Sequence, residues 1–279
     1  MFPLSLCNEI LQPLPFAEQC KAAAALGYMG LEVAPFTLAE DPMRISDDEA
    51  RGFARVAADH GIAITGLHWL LVAPSGLSMV SPDAALRRRT TEVMCRMVEL
   101  CALIGGKYLV HGSPKQRSVP PGESRDATLA RARECLTSAA HKAQKCGVTY
   151  CIEPLARNET DVFNTVEEAA ALVDEIAIPS FKTMIDCSAA GQTEALPVHE
   201  LIARWLPTGK IGHVQVNDPN RRAPGQGKLE FAPILAALKT GGYGGVLAVE
   251  SFDYVPDGTG SAAYAIAYLR GVEQAMARA

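Results

Sequence analysis

The chain alternates strand and helix patterns eight times, and this alternation predicts an α/β fold in the form of a closed (β/α)8 TIM barrel. Its 279 residues are close to the ~250 that are typical of such barrels. No change of composition marks a linker, so a single domain over residues 1–279 is expected. No glycine-rich phosphate loop follows the first strand, which disfavours an open dinucleotide-binding sheet.

The strand patterns are short and rich in apolar residues, as expected for a parallel sheet that is covered on both faces. In chain order they span residues 3–10, 30–36, 62–71, 107–113, 148–155, 181–190, 211–218 and 246–252. The helix patterns that follow them span residues 16–28, 46–61, 82–106, 125–147, 165–176, 198–206, 230–242 and 261–277.

Helix-terminal residues support several of these boundaries. Ser46 stands before a run of acidic residues and predicts the N-cap of the second helix. Pro82 suits the first turn of the third helix. Gly147 is the kind of residue that ends a helix, and we expect it to end the fourth.

Composition and charge restrict the partners and the location of the protein. With 48% hydrophobic residues the chain can bury a large core, and its net charge of −5 disfavours nucleic acid as a partner. There is no signal-peptide pattern and no apolar run near the ~18 residues of a membrane span, so we expect a cytoplasmic protein without a membrane partner. The eight cysteines lack CxxC spacing and are expected to be free thiols.

Three carboxylates at strand ends predict a metal site. Glu153, Asp186 and Glu250 each follow a short apolar run, and active sites of (β/α)8 barrels lie at the C-terminal ends of the strands. None has an adjacent Lys or Arg, and several buried carboxylates close together require a compensating cation. Carboxylate oxygens suit a hard divalent ion such as Mn²⁺ or Mg²⁺.

The seventh strand carries a further candidate ligand. His213 and Gln215 are two residues apart, so both side chains point to the same face of the strand. Gln215 is nearer the C-terminal end, and its carbonyl oxygen is the better placed to reach the metal. His213 is expected one layer deeper in the barrel or on the pocket wall.

Other polar and aromatic residues at strand ends are candidates for substrate contacts. His68 and Trp69 end the third strand, and His111 ends the fourth. Arg221, in the turn-rich segment after the seventh strand, is expected to bind hydroxyl or carbonyl oxygens of the substrate. Weaker candidates end the first two strands: Glu9 and Glu32.

Several segments resemble a known family: IEPLARNETDVFNT, MIDCSAAG, HVQVNDPNRRAPGQGKLEF, AVESFD and GLHWLLVAPSGL. They are similar to xylose isomerase-like TIM barrels of the sugar phosphate isomerase/epimerase superfamily, in particular to D-tagatose/D-psicose 3-epimerases. The resemblance implies that Glu153, Asp186, Gln215 and Glu250 hold one Mn²⁺, with Mg²⁺ or Co²⁺ as alternatives, and that no organic cofactor is needed. It also implies proton transfer by Glu153 and Glu250 at the substrate's C3, and contacts from Glu159 and Arg221 to its carbonyl end.

Two positions depart from the epimerase pattern and leave alternatives open. The epimerases have a histidine where Gln215 stands, whereas hydroxypyruvate isomerases have HVQ there; the epimerases also have a histidine where Ala189 stands. The leading hypothesis is therefore a ketose 3-epimerase acting on an unphosphorylated keto-sugar. The alternatives on the same metal site are a hydroxypyruvate-type isomerase, or a dehydratase or lyase of a keto-sugar or keto-cyclitol.

Two further classes are disfavoured. A metal-dependent abasic-site endonuclease needs many histidine ligands and a basic surface, but the chain has six histidines and a net charge of −5. A non-enzymatic sugar-binding barrel has no need for all three acidic ligands. We therefore expect a small-molecule sugar as the partner, and the resemblance adds a homo-oligomer, dimer or tetramer, as an option.

Overall fold

The computed structural model describes residues 1–278, and in them eight parallel strands close into one barrel in chain order. β1 pairs with both β2 and β8, so the sheet has no free edge. The predicted (β/α)8 TIM barrel is confirmed; Ala279, the last residue of the predicted domain, lies outside the described residues. The strands are β1 (Leu4–Cys7), β2 (Gly30–Val33), β3 (Ala63–Leu67), β4 (Tyr108–His111), β5 (Thr149–Ile152), β6 (Phe181–Asp186), β7 (Ile211–Val216) and β8 (Leu247–Val249).

The α-helices surround the barrel and cover the outer face of the sheet. Each strand thus has buried side chains on both faces, which explains why the strand patterns are apolar runs without strict alternation. The helices are α1 (Phe16–Leu26), α2 (Asp47–Asp59), α3 (Ala84–Leu103), α4 (Arg125–Cys146), α5 (Val166–Ile176), α6 (Cys187–Thr193), α7 (Val198–Trp205), α8 (Phe231–Thr240) and α9 (Gly258–Met276).

The strands are shorter than predicted, the first and third ending at Cys7 and Leu67 instead of at residues 10 and 71. Two further wrong boundaries have a clear local cause. The sixth strand ends at Asp186 and not at Ala190, because the Asp186 carboxylate accepts the backbone N–H of Ala189 at 2.6 Å and begins α6. Pro82 precedes α3 and is not in its first turn, because Asp83 is the N-cap and accepts the N–H of Ala85 at 2.8 Å. The Ser46 cap is confirmed.

The cysteines agree with a further expectation. All eight cysteines are unpaired, as predicted. Within residues 1–278, none of the helices combines the length and the apolar composition that a bilayer-spanning segment requires.

Candidate active site

A cavity of about 450 Å³ opens at the C-terminal ends of the strands. The loops after β3, β4, β5 and β7 and the start of α6 form its walls. Six of the residues singled out in the sequence line it together: Trp69, Glu153, Glu159, Asp186, Arg221 and Glu250. The fold therefore gathers into one cavity side chains that are far apart in the chain.

Glu153, Asp186 and Glu250 form a buried carboxylate cluster at the floor of this cavity. One oxygen from each lies within 4.8 Å of the other two. Burial, followed by the charges of Glu250 and Asp186, raises the pKa of Glu153 well above its usual value. Burial and the charge of Glu250 raise the pKa of Asp186 to about 8. The site thus disfavours three charged carboxylates side by side and favours bound protons, or a cation in their place.

Asn217, which the sequence analysis missed, holds two members of the cluster. Its Nδ2 donates to Asp186 Oδ2 at 2.7 Å and, more weakly, to Glu250 Oε2 at 3.4 Å. Its Oδ1 accepts the backbone N–H of Ser188 at 2.7 Å, which fixes the orientation of the amide. The signal that would have found it is its position two residues after Gln215, on the same face of the chain.

Glu153 is held differently: a hydrogen bond reaches its backbone carbonyl, and Gly112 lies close against its carboxylate. No side-chain hydrogen bond reaches its carboxylate from residues 1–278. The fully buried Arg117 donates to the Glu153 carbonyl oxygen at 2.7 Å, and burial lowers the pKa of Arg117 to about 10. Gly112 lies behind the carboxylate, and a Cβ there would be 2.2 Å from Glu153 Oε2. Sequence analysis missed both Arg117 and Gly112.

Gln215 lies beside the cluster with one end of its amide unused. It is the register partner of Asp186 between β7 and β6. Its Nε2 donates to Glu32 Oε1 at 2.7 Å, whereas its own Oε1 is buried and has no hydrogen-bond partner within residues 1–278. An orphaned carbonyl oxygen at this depth is free to act as a ligand.

Glu32 is buried inside the barrel, below Gln215. Its Oε2 accepts the Tyr108 hydroxyl at 2.7 Å and lies 2.8 Å from Nε2 of His213, whose ring stacks on Tyr108 with centroids 3.9 Å apart. Burial disfavours the charged form of Glu32, but the His213 imidazole outweighs it and lowers the pKa of Glu32 to about 2. His213 thus occupies the deeper of the two positions considered for it.

His68 and His111 lie behind the cavity wall, and neither lines the cavity. The His68 ring stands between two carboxylates, with Nδ1 3.2 Å from Glu250 Oε1 and Nε2 2.9 Å from Glu9 Oε2. His111 Nδ1 is 2.7 Å from the Tyr150 hydroxyl, and burial lowers the pKa of His111 to about 3. His68 therefore supports a carboxylate of the cluster, and His111 is a neutral core residue beside it.

The remaining wall is aromatic with one cationic group. The Trp69 ring lies between Phe36 and Phe252, at centroid distances of 6.2 and 5.6 Å. The Arg221 guanidinium lies 4.6 Å from the Phe252 ring centroid. Glu159 also lines the cavity, and its carboxylate accepts the backbone N–H of Ala156 at 3.2 Å. The cavity wall thus combines an aromatic surface with charged groups that can form hydrogen bonds.

The donor set fits one divalent cation. The three clustered carboxylates supply charge, the Gln215 oxygen has no other partner, and the raised pKa values of Glu153 and Asp186 are what unneutralised buried carboxylates show. Carboxylate and carbonyl oxygens are the ligands that Mn²⁺ and Mg²⁺ prefer. A closed barrel with such a cluster at the C-terminal ends of its strands has its candidate site where (β/α)8 enzymes have their active sites.

Residues 20–272 match the xylose isomerase-like TIM barrel family, and the chain belongs to it. A D-psicose 3-epimerase of Agrobacterium fabrum is 29% identical over 243 residues, which cover 85% of this chain and 79% of that protein. A Streptomyces coelicolor relative with the provisional name hydroxypyruvate isomerase is 26% identical over 275 residues, 89% of this chain and 93% of that protein. These relatives confirm the resemblance found in the motifs and are named as enzymes of the isomerase class.

A solved structure of L-ribulose 3-epimerase has the same fold. It superimposes with a TM-score of 0.83 at 20% identity, covering 100% of this chain and 96% of that one.

Proposed function

We propose that the protein is a metal-dependent ketose 3-epimerase that acts on an unphosphorylated keto-sugar. The observation that carries the proposal is the convergence of Glu153, Asp186 and Glu250, with raised pKa values, at the floor of one cavity. The names of relatives such as the D-psicose 3-epimerase of Agrobacterium fabrum support the choice of reaction.

Glu153, Asp186, Gln215 and Glu250 are the residues that would hold the ion, with Mn²⁺ as the first choice and Mg²⁺ or Co²⁺ as alternatives. When bound, the ion supplies positive charge that makes the C3 proton of the substrate more acidic and stabilises the enediolate anion. The reaction needs no organic cofactor, because a proton leaves C3 and a proton returns to it.

Glu153 and Glu250 perform the proton transfers. They come from β5 and β8, which are not neighbours in the barrel, so they enter the cavity from different sides. One carboxylate removes the proton from C3, and the carboxylic acid of the other delivers a proton to the opposite face of the same carbon. Their protonation states are exchanged after one turnover and are restored through solvent. The configuration at C3 is thereby inverted.

The other predicted residues orient the substrate or the acids. Glu159 and Arg221 hydrogen-bond the carbonyl end of the sugar, and Trp69 packs against its apolar face. His68 positions the Glu250 carboxylate, and His213 positions the Glu32 carboxylate. His111 supports the barrel wall beside Glu153.

The test is proton exchange in D₂O. The protein with Mn²⁺ is incubated with D-fructose, D-psicose, D-tagatose and L-ribulose, and the products are followed by NMR. We expect deuterium at C3 together with the C3 epimer for at least one of these sugars. Absence of exchange with all four, from protein that has taken up metal, would overturn the proposal.

The two acids can be distinguished by substitution. Glu153→Gln and Glu250→Gln, each measured at saturating metal, should abolish epimerisation. Each variant should still exchange the C3 proton of only one epimer, because the remaining carboxylate reaches only one face. Equal exchange of both epimers by either variant would contradict the two-acid assignment.

A hydroxypyruvate-type isomerase is the second candidate, favoured by the free amide oxygen of Gln215 and by the name of the Streptomyces coelicolor relative. A dehydratase or lyase of a keto-sugar or keto-cyclitol is a further candidate, because the cavity wall at Ala189 carries no acid or base. Hydroxypyruvate, inososes and 3-keto-glycosides separate these candidates from the first. Turnover of one of them without C3 epimerisation of any ketose would select it.

The unpaired cysteines support a reducing, cytoplasmic location. A dimer or tetramer is part of the proposal, and light scattering of the purified protein tests it.

A further inference from the structure

The amide of Gln215 has two ends with very different surroundings. Its Nε2 donates to Glu32 Oε1 at 2.7 Å. Its Oε1 is buried and has no hydrogen-bond partner among residues 1–278. A buried amide oxygen without a partner is unfavourable, so this orientation needs a cause.

Glu32 supplies that cause. If the amide were turned around, its oxygen would lie 2.7 Å from a carboxylate oxygen, and two acceptors would face each other. Glu32 cannot rotate to avoid this, because its other oxygen accepts the Tyr108 hydroxyl at 2.7 Å and lies 2.8 Å from His213 Nε2. Glu32 is also fully buried, so water does not compete for its oxygens.

The neighbouring strands determine what the free oxygen can meet. β7 lies between β6, which ends in Asp186, and β8, which leads directly into Glu250. Gln215 is the register partner of Asp186 itself. With Nε2 tied to β2 across the barrel, Oε1 is the end of the amide left for the carboxylate cluster.

We propose that Glu32 is a positioning residue for the metal centre: it fixes the Gln215 amide so that its carbonyl oxygen serves as the neutral ligand. Its negative charge at the N–H end also polarises the amide and strengthens the oxygen as a ligand. Such residues behind a ligand typically contribute about 10–100-fold to metal affinity. The inference rests on the metal centre of the proposed function but not on the identity of the sugar.

Glu32 also predicts which residue types position 215 can carry. A histidine there would find in Glu32 an acceptor for one ring N–H and would keep its other nitrogen for the metal. A leucine would remove the N–H that Glu32 Oε1 accepts at 2.7 Å and would remove the neutral ligand from the metal centre. Gln215→His is therefore expected to keep most of the metal affinity, whereas Gln215→Leu weakens it and leaves only the three carboxylates as ligands.

The experiment measures Mn²⁺ affinity without any sugar, by the electron paramagnetic resonance signal of the free ion. Glu32→Gln should weaken binding by about 10–100-fold. Tyr108→Phe is the matched control: it also removes a contact of Glu32, but it leaves the Gln215 hydrogen bond, so it should lower the melting temperature and change the dissociation constant by less than about 3-fold.

The decisive comparison uses a double-mutant cycle, because a merely structural role of Glu32 would persist when residue 215 no longer binds metal. In the Gln215→Leu background, Glu32→Gln should change the dissociation constant by less than about 3-fold. An equal loss in both backgrounds, or no loss in wild type, would overturn the inference. A wild type that binds Mn²⁺ but exchanges no ketose proton would overturn only the proposed reaction, and a wild type that takes up no metal would overturn both.

Discussion

Replacing Gly112 by alanine should displace the Glu153 carboxylate while leaving the barrel folded. The new Cβ would lie 2.2 Å from Glu153 Oε2 and 3.3 Å from its Cδ, and ordinary contacts begin at 3.4 Å. The carboxylate must therefore move by about 1 Å, and it can do so because it is the end of a flexible side chain. A misplacement of that size in a catalytic group lowers the rate by roughly 10²-fold.

The assay for Gly112→Ala combines kcat/KM for C3 exchange with Mn²⁺ affinity and thermal unfolding. We expect both activity and metal affinity to fall, with a loss of stability no greater than about 1–3 kcal/mol. Gly271→Ala is the control, since nothing lies within 4 Å of its Cβ position in α9 and alanine favours a helix. A Gly112→Ala protein that keeps more than about a third of the wild-type kcat/KM and of its metal affinity would refute the reasoning.

Three further outcomes are expected. Asn217→Ala should weaken Mn²⁺ binding by about 10-fold or more, because Asp186 and Glu250 lose their shared hydrogen-bond donor. Asn220→Ala in the following loop is the control and should leave Mn²⁺ binding unchanged. Equal effects of the two substitutions in a metal titration would contradict the role of Asn217. Folding raises the pKa of Asp186 from 3.8 to about 8, so between pH 6.5 and 8 the folded metal-free protein binds more protons than the unfolded state. The free energy of unfolding should therefore fall as the pH rises over this range, by up to about 1.4 kcal/mol per pH unit. Urea unfolding at several pH values measures this dependence, and saturating Mn²⁺ should remove it. A free energy of unfolding that rises with pH would show instead that the charges of the cluster are already neutralised. Trp69→Ala should raise KM more than it lowers kcat, because in the proposed function the ring packs against the sugar and not against the reacting carbon; a change in kcat alone, by steady-state kinetics, would assign it another role.

The barrel was predictable because eight repeats of one pattern leave few architectures that bury them all. The convergence of Glu153, Asp186 and Glu250 followed from the same step, since parallel strands end at one rim. The end of the sixth strand was not predictable, because it depends on whether the Asp186 carboxylate accepts the Ala189 N–H and starts a helix.

The supporting residues could not be found for a related reason: their partners are distant in the chain. Arg117 looks like a solvated loop residue in the sequence, but the loop folds back and the guanidinium binds the Glu153 carbonyl, 36 residues away. Asn217 meets Asp186 across 31 residues. A single sequence shows which side chains stand at strand ends, but it does not show which neighbours hold them there.

The hydrogen bonds to Asp186 and Glu250 have a consequence for how the ion comes and goes. The two carboxylate oxygens of Asp186 accept hydrogen bonds from the Ala189 N–H and from Asn217. The two oxygens of Glu250 lie within 3.4 Å of His68 Nδ1 and Asn217 Nδ2. These two carboxylates are thus held in place by the chain alone, so a cation that binds as proposed would meet two of its ligands already in position. Exchange of one divalent ion for another should then require no refolding of the mouth, so stripping and reloading the protein with different metals is a direct way to compare them on an unchanged scaffold.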